Sequence, residues 1–183
     1  MSYSAEIGFA ILFAALLIDR FESQEWLWRH VPHPVVWFGK AIGLADQQFN
    51  LDTVTALQRR RNGVVSITLL TLGVAAVGLL LQSLLRPVWY LGWLAEAFIV
   101  SILLAQRSLA DHVAAVATGL RIGGVESGRA EVAKIVGRDP QQLDEAGVCR
   151  AAIESLAENS SDGVVAPVFW YAVAGLPGLF AYK

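Results

Sequence analysis

VVSITLLTLGVAAVGLLLQSLLRPVWYLGWLAEAFIVSILLA, residues 64–105, decides how the rest of the chain is arranged. Residues 64–85 carry no charge, and residues 88–105 carry only Glu96. About 20 apolar residues are what a helix needs to cross the hydrocarbon core of a bilayer. Only Arg86 and Pro87 separate the two runs, which makes them an antiparallel helical hairpin. Trp89, Tyr90 and Trp93 stand where aromatic side chains favour the membrane–water interface. A carboxyl within a span is costly, so Glu96 is either a functional group or one hydrogen-bonded to a neighbouring helix.

Composition agrees with a bilayer. Of 183 residues, 55% are hydrophobic and 16% charged, whereas soluble domains carry about 25% charged residues. The mean hydropathy is +0.51. Residues 5–18 and 164–182 are further apolar segments. The expectation is an all-α, polytopic integral membrane protein with about four membrane segments, 5–18, 64–85, 88–105 and 164–182, in one membrane domain. The first segment lacks the basic region of a signal peptide and carries Glu6, so a spanning helix is expected although it is short. Pro167, Gly175, Pro177 and Gly178 are expected to kink or break the last one. The hairpin places residues 19–63 and 106–163 on one side of the membrane. The first stretch holds Arg20, Arg29, Lys40, Arg59, Arg60 and Arg61; the second holds Arg107, Arg121, Arg129, Lys134, Arg138 and Arg150. Arg86 alone marks the hairpin tip, so the positive-inside rule makes both stretches cytoplasmic.

The stretch RAAIESLAENSSDGVVAPVFW, residues 150–170, sets carboxylates and amides directly against an apolar run. Arg150, Glu154 and Glu158 follow one another at one-turn intervals on a helix face. Asn159, Ser160, Ser161, Asp162 and Gly163 are turn formers and are expected to interrupt the helix. Glu154, Glu158 and Asp162 are the candidate metal ligands and catalytic carboxylates, since Mg²⁺ is held by one or two carboxylates plus water or phosphate oxygens. An ordinary solvated helix face with an Arg150–Glu154 pair is the competing reading. Upstream, one helix is expected to end at Gly123-Gly124 and a shorter one at Gly137, with a third starting at Asp139-Pro140 and running from about 141 to 158. His30 and His33 flank Pro32, so an extended loop is expected there. Cys149 is the sole cysteine and three His are scattered, so neither a disulfide nor a zinc pattern arises. Neither a P-loop nor GxGxxG is present, and nothing points to nucleic acid.

HPVVWFGKAI, AQRSLADHV, IVGRDPQQLDEAGVCRAAIESLAENSSDGVVAPVFW and GLPGLFAYK closely resemble adenosylcobinamide-phosphate synthase, the membrane enzyme family of cobalamin biosynthesis. The resemblance implies a ligase that joins adenosylcobyric acid, a corrinoid, to (R)-1-aminopropan-2-yl phosphate or aminopropanol through an amide, with ATP and Mg²⁺. It implies substrate-binding roles for His33, Lys40, Arg107, Arg138, Arg150 and Asn159 beside Glu154, Glu158 and Asp162. Members of that family continue beyond the AYK motif, so the chain is expected to be an N-terminal portion. Its partners would be the two substrates and the lipid bilayer, with oligomerisation left open. The alternative is a non-catalytic membrane binding or regulatory protein of the same architecture. A transporter would want charges within the spans, and only Glu96 qualifies.

Overall fold

The structure is a computed structural model that describes residues 5–21, 34–51, 53–137 and 139–183. Among these it is all-helical. In chain order the helices are α1 (Ala5–Phe21), α2 (Pro34–Phe49), α3 (Ala56–Leu85), α4 (Trp89–Ser101), α5 (Gln106–Val132), α6 (Glu145–Ser160) and α7 (Ala166–Tyr182). A 3₁₀ turn, Arg86–Val88, links α3 to α4, and a π-helical turn, Ser161–Val165, links α6 to α7. Two stretches are long and apolar enough to cross a membrane, 56–132 and 145–182.

The expected hairpin is present. Thr55 starts α3 with a capping box, its hydroxyl accepting from the Gln58 N–H while the Gln58 side chain accepts from the Thr55 N–H. α3 has 30 residues, about 45 Å of helix. After the 3₁₀ turn Trp89 takes a left-handed backbone (φ 53°) and the chain reverses. Gln82 and Glu96 then meet across the hairpin at 2.9 Å, although residues fourteen apart on one straight helix would be about 21 Å apart. α4 is shorter than the expected 88–105, because the helix stops at Ser101 and residues 102–105 form the turn into α5.

Two cores divide the molecule. The first joins Ile11, Leu12 and Ala15 of α1, Ala97 and Val100 of α4, and Tyr171, Leu176 and Leu179 of α7. The second joins Val116 and Val132 of α5 to Val148, Ala151 and Ala152 of α6. α1 packs on α4, α7 on α3, and α5 on α6. The large side chains of α3 that face away from the first core stay exposed: Val64, Ile67, Leu69, Leu72, Leu79 and Leu84.

Several expectations are corrected. The chain does leave helical geometry at Gly124 (φ 66°, ψ −163°), but the second half of α5 ends at Val132 rather than Gly137. Asp139 does not open a helix. Its Oδ1 accepts the Gln141 N–H at 3.0 Å, a local Asx turn. α6 starts instead at Asp144, whose Oδ1 accepts the Gly147 N–H at 2.7 Å. The turn expected over 159–163 is a π-helical turn, which keeps the backbone hydrogen-bonded where the chain enters its apolar run. Pro34 begins α2, a helix the reading of 19–63 did not anticipate. His33 and the loop around His30 lie outside the described residues.

The last apolar segment breaks, as its glycines and prolines suggested, and the break is at Gly175 (φ 64°, ψ −151°). A Cβ on Gly178 would meet the Trp170 carbonyl oxygen, a neighbour that would be about 12 Å away on a straight helix. The two halves of α7 therefore fold back on each other. Replacement of Gly175 by alanine forces a backbone that L side chains rarely adopt and sets a Cβ 2.6 Å from Gln82 Nε2. Gly175→Ala is expected to lower stability by roughly 1–3 kcal/mol. Gly8→Ala, where a Cβ meets nothing within 4 Å, is expected to leave stability unchanged or slightly raised. Thermal unfolding in detergent checks both.

Candidate functional site

α6 presents the carboxylates. Its buried face, Val148, Ala151, Ala152 and Ser155, is fixed on α5, so Arg150, Glu154 and Glu158 are turned outward and exposed. Opposite them the chain leaving α5 makes tight turns over 133–136. Glu154 and Glu158 share a cavity of about 220 Å³ with Ile135, Val136, Gly137, Ala151 and Ser155. Two carboxylates thus face the start of the IVGRDP motif. Arg138, the next residue of that motif, lies outside the described residues.

Ser155 organises this edge, a role that no local pattern in the chain signals. Its hydroxyl donates to the Ile135 carbonyl at 2.5 Å. Asn159 Nδ2 donates in turn to Ser155 Oγ at 3.0 Å and to the Ser155 carbonyl at 2.8 Å. Asn159 therefore braces the residue that holds the turn. Arg129 secures the other end, with Nε donating to the Leu143 carbonyl at 2.7 Å and Nη1 paired with Glu126 at 2.7 Å.

Asp162 belongs to a second cluster. Its backbone carbonyl accepts from the Tyr182 hydroxyl at 3.4 Å, and its charge acts on Lys183. Asp19, at the end of α1, lies in the same neighbourhood through its own charge effect on Lys183. Asp19 Oδ2 accepts the Gln106 N–H at 2.8 Å, and Gln106 Nε2 reaches the Leu16 carbonyl at 3.2 Å. α5 has no side-chain cap of its own, so a carboxyl from another helix caps it and fixes the start of AQRSLADHV. Arg107 follows at once and pairs with Asp111 at 2.8 Å. Burial raises the Asp19 carboxyl above its ordinary range, against the lowering effect of the Gln106 and Arg107 bonds. Desolvation likewise lowers Lys183, opposed by Asp162 and Asp19.

The predicted residues therefore fall into three groups. Glu154 and Glu158 line one cavity, with Asn159 supporting it and Arg150 exposed on the same helix. Asp162 and Arg107 stand at the junction of α1, α5 and α7. Lys40 is exposed on α2, which packs on α3, and it is not among the residues lining the carboxylate cavity. Among the described residues no three His, Cys, Asp or Glu side chains are gathered as a metal site. A pair of carboxylates beside an open cavity still suits an ion that takes its remaining ligands from water and a phosphate.

A carboxyl with a raised folded-state pKa binds its proton more tightly in the native than in the unfolded chain. Its contribution is present at low pH and is lost as pH rises through the folded value. Asp19→Asn keeps an oxygen acceptor for the Gln106 N–H but removes that titration. The expected result is a flatter dependence of unfolding temperature on pH above about 4, with no loss of stability at neutral pH. An unchanged pH profile would contradict the burial of Asp19.

The CobD/Cbib protein family matches residues 12–183. A cobalamin biosynthesis protein CobD from a Sinorhizobium species is 61% identical over 175 residues, covering 94% of this chain and 54% of that protein. The protein of the same name from Rhizobium meliloti is 55% identical over 181 residues, covering 98% and 55%. That of Rhodobacter capsulatus is 45% identical over 157 residues, covering 86% and 49%. The chain spans about half the length of the curated relatives it matches. No solved structure matches. With a match that runs from α1 to Lys183, the chain belongs to the CobD/Cbib family.

Proposed function

We propose that this chain acts in cobalamin biosynthesis, in ATP-dependent amide formation between adenosylcobyric acid and (R)-1-aminopropan-2-yl phosphate, or aminopropanol itself. Family membership supports the pathway. The observation that carries the chemistry is the cavity that Glu154 and Glu158 share with the turn at 135–137.

A carboxylate does not react with an amine at neutral pH until its oxygen is made a leaving group. Transfer of the terminal phosphoryl group of ATP to the corrinoid carboxylate gives an acyl phosphate and ADP. Attack of the free amine on the acyl carbon forms the C–N bond, breaks the C–O bond and releases inorganic phosphate, with one proton lost from nitrogen. Mg²⁺ bound with ATP would neutralise phosphate charge during the transfer, and Glu154 and Glu158 are the residues that would hold it. The chain's own part is electrostatic and positional. Arg150, exposed on the same helix, offers a guanidinium group to phosphate oxygens, while Arg107, which pairs with Asp111 away from the cavity, is assigned to substrate binding by motif. Asn159 and Ser155 hold the 135–137 turn against the carboxylates. Asp162 lies where the polar layer meets the apolar helices and has Lys183 as its charge partner. His33, Lys40 and Arg138 are assigned to substrate binding by motif alone.

The proposal includes the setting. α1, α3, α4 and the folded-back α7 form the four membrane segments, with α5 and α6 on the cytoplasmic face of a bacterial inner membrane. The exposed apolar side chains of α3 support this, because a soluble monomer rarely leaves so continuous an apolar surface in water.

Membranes carrying the protein, supplied with adenosylcobyric acid, aminopropanol phosphate and Mg-ATP, are expected to yield the amide by mass spectrometry. Glu158→Gln is expected to reduce the rate about 100-fold or more. Cys149→Ser, at an exposed position outside the cavity, is expected to leave it unchanged. Full activity in folded Glu158→Gln would overturn the role of that carboxylate. No product from folded wild-type protein, where a full-length relative is active, would contradict the assignment of the activity to these residues alone.

A further inference from the structure

The helices α2 and α3 flank a groove that is separate from the carboxylate cavity of Glu154 and Glu158. Its larger part, about 410 Å³, has Arg59, Arg60, Asp46 and Asn50 at one end and Ile67 and Leu70 on its floor. A second part, about 160 Å³, continues past Val74 to Phe38 and to the end of the chain at Phe180, Tyr182 and Lys183. Ile42, Ile67 and Leu70 border both parts, so the groove is continuous. Its polar end coincides with the charged start of α3, just before the uncharged run that begins at Gly63. From Arg60 to Val74 the helix rises about 21 Å, more than the roughly 15 Å hydrocarbon depth of one leaflet.

We propose that this groove binds an anionic phospholipid, its phosphate at Arg59 and Arg60 and one acyl chain along Ile67, Leu70 and Val74. The inference rests on the membrane setting given above. Charge complementarity selects the occupant. Among the described residues that line this end, Arg59 and Arg60 stand beside one carboxylate, Asp46, which accepts Asn50 Nδ2 at 2.9 Å. A zwitterionic lipid would add a cationic ammonium beside those arginines, whereas a glycerol headgroup would not. The apolar floor requires a chain that a free phosphate lacks.

The test uses the whole chain, extracted in detergent, exchanged with equimolar phosphatidylglycerol and phosphatidylethanolamine of matched acyl chains, and read by native mass spectrometry. Phosphatidylglycerol is expected to be retained in preference, by about five-fold per arginine engaged. Arg59→Gln with Arg60→Gln is expected to bring the ratio close to one. Ile67→Trp, which fills the floor and leaves the arginines in place, is expected to reduce retention of both lipids. Inorganic phosphate in excess is expected not to displace the lipid. Equal retention of the two lipids, an unchanged ratio in the double variant, or a lipid-free dimer with the groove closed by a second copy would overturn the proposal. Alkaline carbonate washing separates this from the setting: protein that stays in the membrane without a lipid preference refutes the groove alone, while protein washed off refutes the membrane reading as well.

Discussion

A carboxyl buried among apolar helices has to be hydrogen-bonded, and the arrangement of the apolar layer follows from how Glu96 meets that requirement. Its side chain is 1% exposed. Gln82 Nε2 from α3 donates to Oε1 at 2.9 Å, and the Tyr171 hydroxyl from α7 donates to the same oxygen at 2.8 Å. One atom on α4 thereby fixes the register of the hairpin and the position of α7. The amide of Gln82 in turn lies against the backbone of Gly175, where α7 turns back. Among the described residues no buried side-chain nitrogen or oxygen lacks a partner, as such a polar network demands in an apolar interior.

The fold-back has consequences at the other end of the bundle. It returns Tyr182 and Lys183 to the level of Asp162, beside Asp19 and the capped start of α5. The polar layer is attached there, through the Asp19 cap and through the π turn that joins α6 to α7. Glu154 and Glu158 are thus held on a helix continuous with an apolar segment, and the turn at 135–137 is held beside them by Ser155.

Much of this was legible in the chain. The uncharged run 64–85 and the Arg86-Pro87 break give the hairpin directly. Pro and Gly within 164–182 pointed to a break, and the spacing of Glu154 and Glu158 put both on one face. Other features depended on tertiary partners that no local pattern encodes. Asp19 reads as the end of an apolar run, yet it caps a helix that begins 87 residues later. Ser155 carries no local signal, yet it bonds a carbonyl twenty positions away. Asp162 shares the turn-by-turn spacing of Glu154 and Glu158, but the π turn and the fold-back give it Tyr182 and Lys183 as neighbours. Asp139 satisfies the local rule for a helix start, but Asp144 caps the helix instead. For Glu96 the sequence left two readings open, and its partners on α3 and α7 favour the structural one.

The dependence on Glu96 is measured most directly by a double-mutant cycle with Tyr171. Glu96→Met, Tyr171→Phe and the pair would be compared by reversible unfolding in detergent. Glu96→Met removes the acceptor of the Tyr171 hydroxyl, and Tyr171→Phe removes one of the two donors to Glu96 Oε1. The double change loses this one hydrogen bond only once, so the double variant is expected to be less destabilised than the sum. The predicted coupling is on the order of 0.5–3 kcal/mol. Additive losses would contradict the claim that this hydrogen bond joins α4 to α7.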